Sequence, residues 1–328
     1  MSTTSTDPVP LGPLSVSRQG FGCMGLSHTY GKADEAESLA TLDRAVELGI
    51  NFFDTADVYG LGHNEELLAK AIRGRRDRLV IASKFGNRLD RETSGRALDG
   101  RPEYMRQAVD ASLRRLEVEH IDLYYLHRLD PLTPIEETVG ELVRLKEQGK
   151  IGAVGLSEVD AGVLRRAHAV HPIAALQSEY SLWTREVEAD ILPAARELGI
   201  GFVAYSPLGR GFLAGAEPVE ASDRRNLHPR FQADAIAANS QRRAVAVDVA
   251  ERLGVTVAQI SLAWVLSKGV VPIPGTRHIA HLEANWAAGD LILDPASVAE
   301  LEAAFTPGST VGARYPAGSP PVPGLQPA

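Results

Sequence analysis

Residues 50–84 read INFFDTADVYGLGHNEELLAKAIRGRRDRLVIASK, and the order of residue types in this stretch decides the fold. An apolar run at 50–55 has the length and the Ile/Phe content of a strand, and a polar loop follows it. Residues 64–73 are amphipathic and suit a helix. Gly74 stands just past them, where a left-handed residue ends a helix at little cost. A second apolar run at 79–84 completes a strand–helix–strand unit.

The same rhythm continues outward in both directions. Further candidate strands lie at 20–24, 121–127, 153–157, 175–177, 201–206 and 270–274, which makes eight in all. Helical patterns at 34–48, 102–116, 134–148, 161–170 and 187–198 join that at 64–73, and Gly49, Gly149 and Gly199 mark C-termini as Gly74 does. The seventh interval is longer, with a polar loop at 214–240 and helical runs at 241–253 and 257–267. An insertion of this kind reads as a functional loop.

An open doubly wound sheet is the structural alternative, and its dinucleotide signal is a Gly-x-Gly-x-x-Gly turn opening a helix. The run GFGCMG at 20–25 has the wrong spacing and suits a close-packed first strand. The pattern therefore predicts an α/β fold, a single-domain (β/α)8 TIM barrel over residues 1–306. A short N-terminal hairpin at 9–17, turning at Gly12-Pro13, closes its bottom. Residues 307–328 form a Gly/Pro-rich tail that has no core of its own, is expected to be flexible, and is within reach of the barrel mouth.

The chain has 328 residues, 44% hydrophobic and 23% charged, with a net charge of -8. That balance offers no basic field for nucleic acid or an anionic membrane. No basic, apolar leader opens the sequence, and no run approaches the ~18 apolar residues of a membrane span. Cys23 is the only cysteine, which excludes an intrachain disulfide and a Cys-based zinc cluster. A cytoplasmic setting is expected.

Several candidate strands end in a polar or charged residue: Asp54, Lys84, His127, Ser157, Gln177 and Ser206. In a (β/α)8 barrel those ends converge on one pocket. A carboxylate after Phe52 and Phe53 needs a partner, and Lys84 on the next strand is the natural cation. The plain alternative is a structural ion pair at the rim. Tyr59 follows Asp54 closely enough to fold back over the pair, where a nearby cation lowers a phenol pKa that starts near 10. By itself Tyr59 reads as a loop tyrosine and His127 as a core histidine; beside Asp54 and Lys84 they read as a catalytic group.

The motifs FFDTADVYG with HNEELLAKAI, VIASKFG, LYYLHRLD, VGLSE, LQSEYSLW, AYSPLGRGFL and IPGTR resemble, in order and spacing, those of the aldo-keto reductase superfamily over about residues 18–305. Within it the chain is most similar to the group that includes pyridoxal reductase and auxin-induced-protein-like members. The resemblance implies a barrel that binds NADPH or NADP+ without a Gly-rich phosphate turn and reduces a small carbonyl substrate, with no metal. It implies Tyr59 as general acid, Lys84 and Asp54 as the pair that tunes it, and His127 as the group that orients the carbonyl.

For the cofactor it implies Ser157 and Gln177 at the carboxamide, with Asp54 nearby, and Tyr205 under the nicotinamide. Ser206, Pro207, Leu208, Gly209, Arg210 and Gly211 form the loop over the pyrophosphate. Gly275, Thr276, Arg277 and Asn285 face the adenosine, Arg277 being the candidate for a 2′-phosphate. Three positions depart from the resemblance: Glu158 replaces the usual Asn or Arg, His281 the usual Arg or Gln, and Ala284 the usual Glu, so contacts there are expected to be rearranged. Trp183, Phe85 and Tyr30 are candidates for an apolar substrate wall, with packing the equal alternative for each.

Two other functions fit part of this set. The superfamily includes potassium-channel β subunits, which bind NADPH and regulate a partner, but these tend to carry Asn where this chain has His127. A Schiff-base lyase using Lys84 is the other, and pairing with Asp54 opposes it by keeping the lysine protonated. Substrate and oligomeric state are not written in these motifs.

Overall fold

The computed structural model describes residues 8–27, 29–89, 96–216, 218, 220–317 and 319. The chain opens with an antiparallel hairpin, β1 (Pro8–Leu11) and β2 (Leu14–Ser17), whose turn is Gly12-Pro13 as expected. Next come β3 (Phe21–Gly22), β4 (Phe52–Asp54) and β5 (Val80–Phe85). A second hairpin, β6 (Asn87–Leu89) and β7 (Arg96–Leu98), follows them, then β8 (Ile121–Leu126), β9 (Ile151–Ser157), β10 (Ala175–Glu179), β11 (Gly201–Tyr205) and β12 (Val271–Pro272). Strands β3, β4, β5 and β8 to β12 form one parallel sheet in that order. The ring closes where Gly20 N–H donates to Pro272 O (3.0 Å) and Gly22 N–H to Pro274 O (3.4 Å).

Six helices alternate with the first strands: α1 (Glu35–Glu47), α2 (His63–Ile72), α3 (Pro102–Leu116), α4 (Ile135–Glu147), α5 (Ala161–Val170) and α6 (Ile191–Glu197). Helices α7 (Ala233–Leu253) and α8 (Val257–Ser267) fill the seventh interval, and α9 (Ile279–Ala287) and α10 (Pro295–Ala304) follow β12. The sequence reading starts α7 eight residues late because 233–240 (ADAIAANS) has Ile236 as its one large apolar residue and shows no clear apolar stripe. It also omits the β6–β7 hairpin, α9 and α10. Among the described residues no single helix is long and apolar enough to cross a membrane.

Alternation along the strands sorts side chains into two cores. Phe53, Ile81, Phe85, Tyr124, Leu126 and Leu156 face outward and pack under the helices. Phe52, Ala82, Leu123, Tyr125, Ala153, Ala175, Val203 and Ile273 face inward and fill the barrel, which Leu11 and Val16 of the hairpin plug from below. Two close approaches require glycine. A Cβ on Gly155 would lie 2.4 Å from the Tyr125 ring, and one on Gly275 only 2.2 Å from Gly22 O, at the closure.

The same parity fixes the site. Counting by twos from the inward residues Phe52, Ala82, Tyr125, Ala153, Ala175 and Val203 leads to Asp54, Lys84, His127, Ser157, Gln177 and Tyr205. Five of the six stand at or next to the carboxyl ends of their strands, and Gln177 stands two residues before the end of β10.

Candidate active site

Lys84 and Asp54 meet in the barrel interior, with side chains 0% and 3% exposed. The Lys84 ammonium donates to Asp54 Oδ1, to Thr55 O (2.9 Å) and to the Tyr59 hydroxyl (3.5 Å). The second Asp54 oxygen accepts from Gln177 Nε2 at 2.7 Å, so the carboxylate has a donor on each side. Tyr59 opens a tight turn after β4, in which Gly60 and Leu61 both take positive φ (58° and 57°). Its ring meets His127 edge-on, with centroids 5.8 Å apart at 87°. The four residues read from sequence as one group are thus assembled by β4, β5, β8 and one turn.

Burial disfavours the charged form of Lys84, but Asp54 and Tyr59 outweigh it and hold the ammonium above its ordinary range. The expected lowering of the Tyr59 phenol is corrected by the structure. Burial is the largest influence and pushes the phenol up, against the pull of Lys84 and Arg128, because phenolate loses more hydration than the two cations return. The hydroxyl therefore keeps its proton at neutral pH.

A cleft of about 910 Å3 runs from Tyr59, Asp54 and His127 to the α9 end of the barrel. Ser157, Gln177 and Tyr205 line it, as do Ser206, Pro207, Leu208, Arg210 and Gly211, and Gly275, Thr276, Arg277, His281, Ala284 and Asn285. Gly209 lies behind the loop, where a Cβ would come within 2.7 Å of Trp183. Two arginines are already engaged. Arg210 reaches Glu179 at 3.2 Å, and Arg277 donates to Lys32 O (2.7 Å) and Tyr30 O (3.5 Å).

The expected apolar wall is corrected in two of its three members. Phe85 faces outward by strand parity and stacks on Tyr124, and Trp183 stacks on Phe212 (4.2 Å) in the outer core; only Tyr30 lines the cleft. Leu61 and Leu227, 63% and 64% exposed, supply apolar surface at the cleft instead. Glu158 is outside the cleft lining: it is 1% exposed, has φ 56°, accepts from Glu179 N–H (2.9 Å) and pairs with Arg314.

Sequence reasoning missed the residues that roof the site. Past Pro307 the chain crosses the mouth, held where Thr310 donates to Trp183 O (2.7 Å), Val311 N–H to Asn239 Oδ1 (3.0 Å) and Arg230 to Gly312 O (3.3 Å). It delivers Tyr315 to the cleft beside Tyr205 and Arg128. Arg128 carried a signal, a cation directly after His127. Arg314 and Tyr315 carried none, since a Gly/Pro-rich stretch has no periodicity to say what it packs on.

Comparison with known proteins matches this geometry. The pattern of the Aldo/keto reductase family spans residues 19–305. A probable aldo-keto reductase 1 of Glycine max is 45% identical over 324 residues, covering 96% of this chain and 93% of that protein. The structure of a glycerol dehydrogenase from Gluconobacter oxydans superposes with a TM-score of 0.81 at 30% identity, covering 92% of this chain and 97% of that one. A Klebsiella pneumoniae aldo-keto reductase solved in complex with NADPH superposes with a TM-score of 0.71 at 29% identity, over 94% and 96% of the two chains. A closed eight-stranded barrel with its ionisable strand ends gathered at one mouth, and a family pattern covering most of the sequence, lead to one assignment: the chain belongs to the aldo/keto reductase family.

Proposed function

We propose that this protein reduces aldehydes or ketones to alcohols with NADPH, Tyr59 giving the proton to the carbonyl oxygen. The chain is an NADP-dependent oxidoreductase by family, and a small-molecule carbonyl compound is its substrate class. The observation that carries the reading is the buried contact of Lys84 with both Asp54 and Tyr59, beside His127, at the head of a cleft of about 910 Å3.

The cleft suits a phosphate-bearing cofactor. Five arginines line it (Arg128, Arg210, Arg224, Arg225 and Arg277), whereas Asp54 is the only acid among its described lining residues, in a chain of net charge -8. Ser157, Gln177 and Tyr205 would hold the nicotinamide end, residues 206–211 the pyrophosphate, and Gly275, Thr276, Arg277 and Asn285 the adenosine. When bound, the cofactor supplies the hydride. Tyr59 holds the proton until the carbonyl oxygen becomes basic; Lys84 and His127 then stabilise the developing negative charge, and Asp54 keeps Lys84 charged and in place. The lone, buried Cys23 suits a reducing cytoplasm as the setting.

A panel of aldehydes followed by NADPH absorbance tests the function: substrate-dependent oxidation of the cofactor is expected. Tight NADPH binding with no turnover on any aldehyde would instead favour the cofactor-sensing reading. Trapping of a substrate on Lys84 by borohydride would favour the lyase.

Cofactor preference has its own test. Arg277→Ala is expected to weaken NADPH roughly tenfold, the scale of one charge-assisted hydrogen bond, with little change for NADH. Equal effects on both cofactors would leave Arg277 as a clamp on the Tyr30–Lys32 backbone, the role its present hydrogen bonds already describe.

A further inference from the structure

Arg128 follows His127 and lines the cleft at its reacting end. Its Nη1 donates to His127 O (2.7 Å) and Ser157 Oγ (3.3 Å), and its Nη2 to the hydroxyls of Tyr315 (3.2 Å) and Tyr205 (3.5 Å). Every acceptor is neutral. Among the described residues no carboxylate forms an ion pair with it, although the nearby arginines have theirs: Arg314 pairs with Glu158 and Glu179, and Arg210 with Glu179. The four guanidiniums of Arg128, Arg210, Arg230 and Arg314 face three carboxylates, Glu158, Glu179 and Glu186, and all three are taken by the other arginines, which leaves the charge of Arg128 in excess. Phosphates of a bound cofactor would answer Arg210 in its loop. They would be remote from Arg128, which sits beside His127 at the other end of the cleft.

The two tyrosine hydroxyls reinforce this corner. Tyr205 and Tyr315 lie 2.7 Å apart, and Arg314 donates to Tyr205 at 2.7 Å. Burial resists ionisation of the Tyr315 phenol, yet Arg314, Arg128 and Arg210 together hold it below its usual range, so this point in the cleft favours negative charge.

We propose that Arg128, with the hydroxyls of Tyr205 and Tyr315, forms an anion-accepting corner that selects carbonyl substrates bearing a carboxylate. This rests on the reductase reading above. Such a group would meet the guanidinium from the cleft, displacing its longer donations to Ser157 (3.3 Å) or Tyr205 (3.5 Å), and accept from either hydroxyl while the carbonyl lies under Tyr59 and His127. Uncharged aldehydes of the same size lack the contact.

The test compares matched pairs, 4-carboxybenzaldehyde with 4-methylbenzaldehyde and succinic semialdehyde with pentanal, as the ratio of their kcat/KM values. The acid is expected to be favoured in the wild type. The ratio should fall about tenfold or more in Arg128→Gln, recover partly in Arg128→Lys, and fall in the same direction in Tyr315→Phe, which retains the ring and the charge and serves if the arginine variants fold poorly. Both members of a pair share any general damage to the site, so the ratio isolates the carboxylate. A wild-type ratio at or below one, or a ratio unmoved by Arg128→Gln and Tyr315→Phe, overturns the assignment. So does a loss of NADPH affinity in Arg128→Gln with the ratio intact, which would give the residue to the cofactor. Calorimetric binding of benzoate against benzamide to the NADP+-loaded protein needs no turnover. Preferential benzoate binding that is lost in Arg128→Gln upholds the corner even if no aldehyde is reduced; equal binding of the two overturns it.

Discussion

Tyr59→Phe is expected to lower kcat by about 10² to 10⁴ while the NADPH dissociation constant changes little. The variant removes one oxygen and leaves the ring packed against His127 at its present edge-on angle. Only the hydroxyl is lost, and with it both the proton and the oxygen that accepts from Lys84. Because burial holds the phenol above its ordinary pKa of about 10, wild-type kcat should stay level through neutral pH and fall only in a more alkaline range, where the proton is lost. Stopped-flow measurement of NADPH oxidation in both proteins, with cofactor binding followed by fluorescence, checks both parts. Turnover within a factor of three of the wild type would remove Tyr59 from the proton-donor role. A decline beginning below pH 7 would mean that the cations outweigh burial in the loaded enzyme.

The second large effect is on stability. Glu179, 2% exposed at the end of β10, is a shared counter-ion for Arg314 (3.0 Å), Arg210 (3.2 Å) and Arg230 (3.7 Å), and Thr184 Oγ1 also donates to it (3.1 Å). These arginines come from the tail, the loop after β11 and the insertion before α7, so one carboxylate ties together three segments around the mouth. Glu179→Gln leaves buried guanidiniums short of a partner, and the loss is expected to be about 3 to 5 kcal/mol, the scale for breaking a buried ion pair. Burial acts to raise the Glu179 pKa, but the three guanidiniums reverse this and hold it well below the ordinary range. Its stabilisation is therefore complete above the unfolded pKa of about 4.3 and disappears as pH falls through the lower folded value. Urea unfolding of both proteins at pH 7 and near pH 3 measures this. A difference under about 1 kcal/mol at pH 7, or one that grows in acid, contradicts the hub. The tail should also become a better protease substrate in the variant, since Arg314 then retains Glu158 as its one carboxylate partner.

Much of this was legible in one dimension. Alternation of strand and helix is a local property, repeated often enough in residues 20–274 to identify the barrel before any contact is known, and strand parity then turns Asp54, Lys84, His127, Ser157 and Gln177 toward a common axis. Where local pattern was weak the reading failed. For Phe85 the pattern leaves pocket wall and packing equally open, although its neighbour Lys84 faces inward and parity turns Phe85 out. The start of α7 was hidden by a run of small residues with one large apolar side chain, and no helix was delimited where α9 and α10 stand.

Sequence by itself determined the fold class and the grouping of Asp54, Tyr59, Lys84 and His127 at one mouth, because periodicity and strand-end chemistry are carried by residues close together in the chain. Tertiary structure alone decided the balance of burial against charge at Tyr59, the engagement of Arg277 with the backbone near Tyr30, and the roof of the site. Arg128 and Tyr315 are separated by 187 positions and meet at 3.2 Å. No spacing rule joins them, since the contact depends on a tail held in place by carboxylates at the ends of β9 and β10.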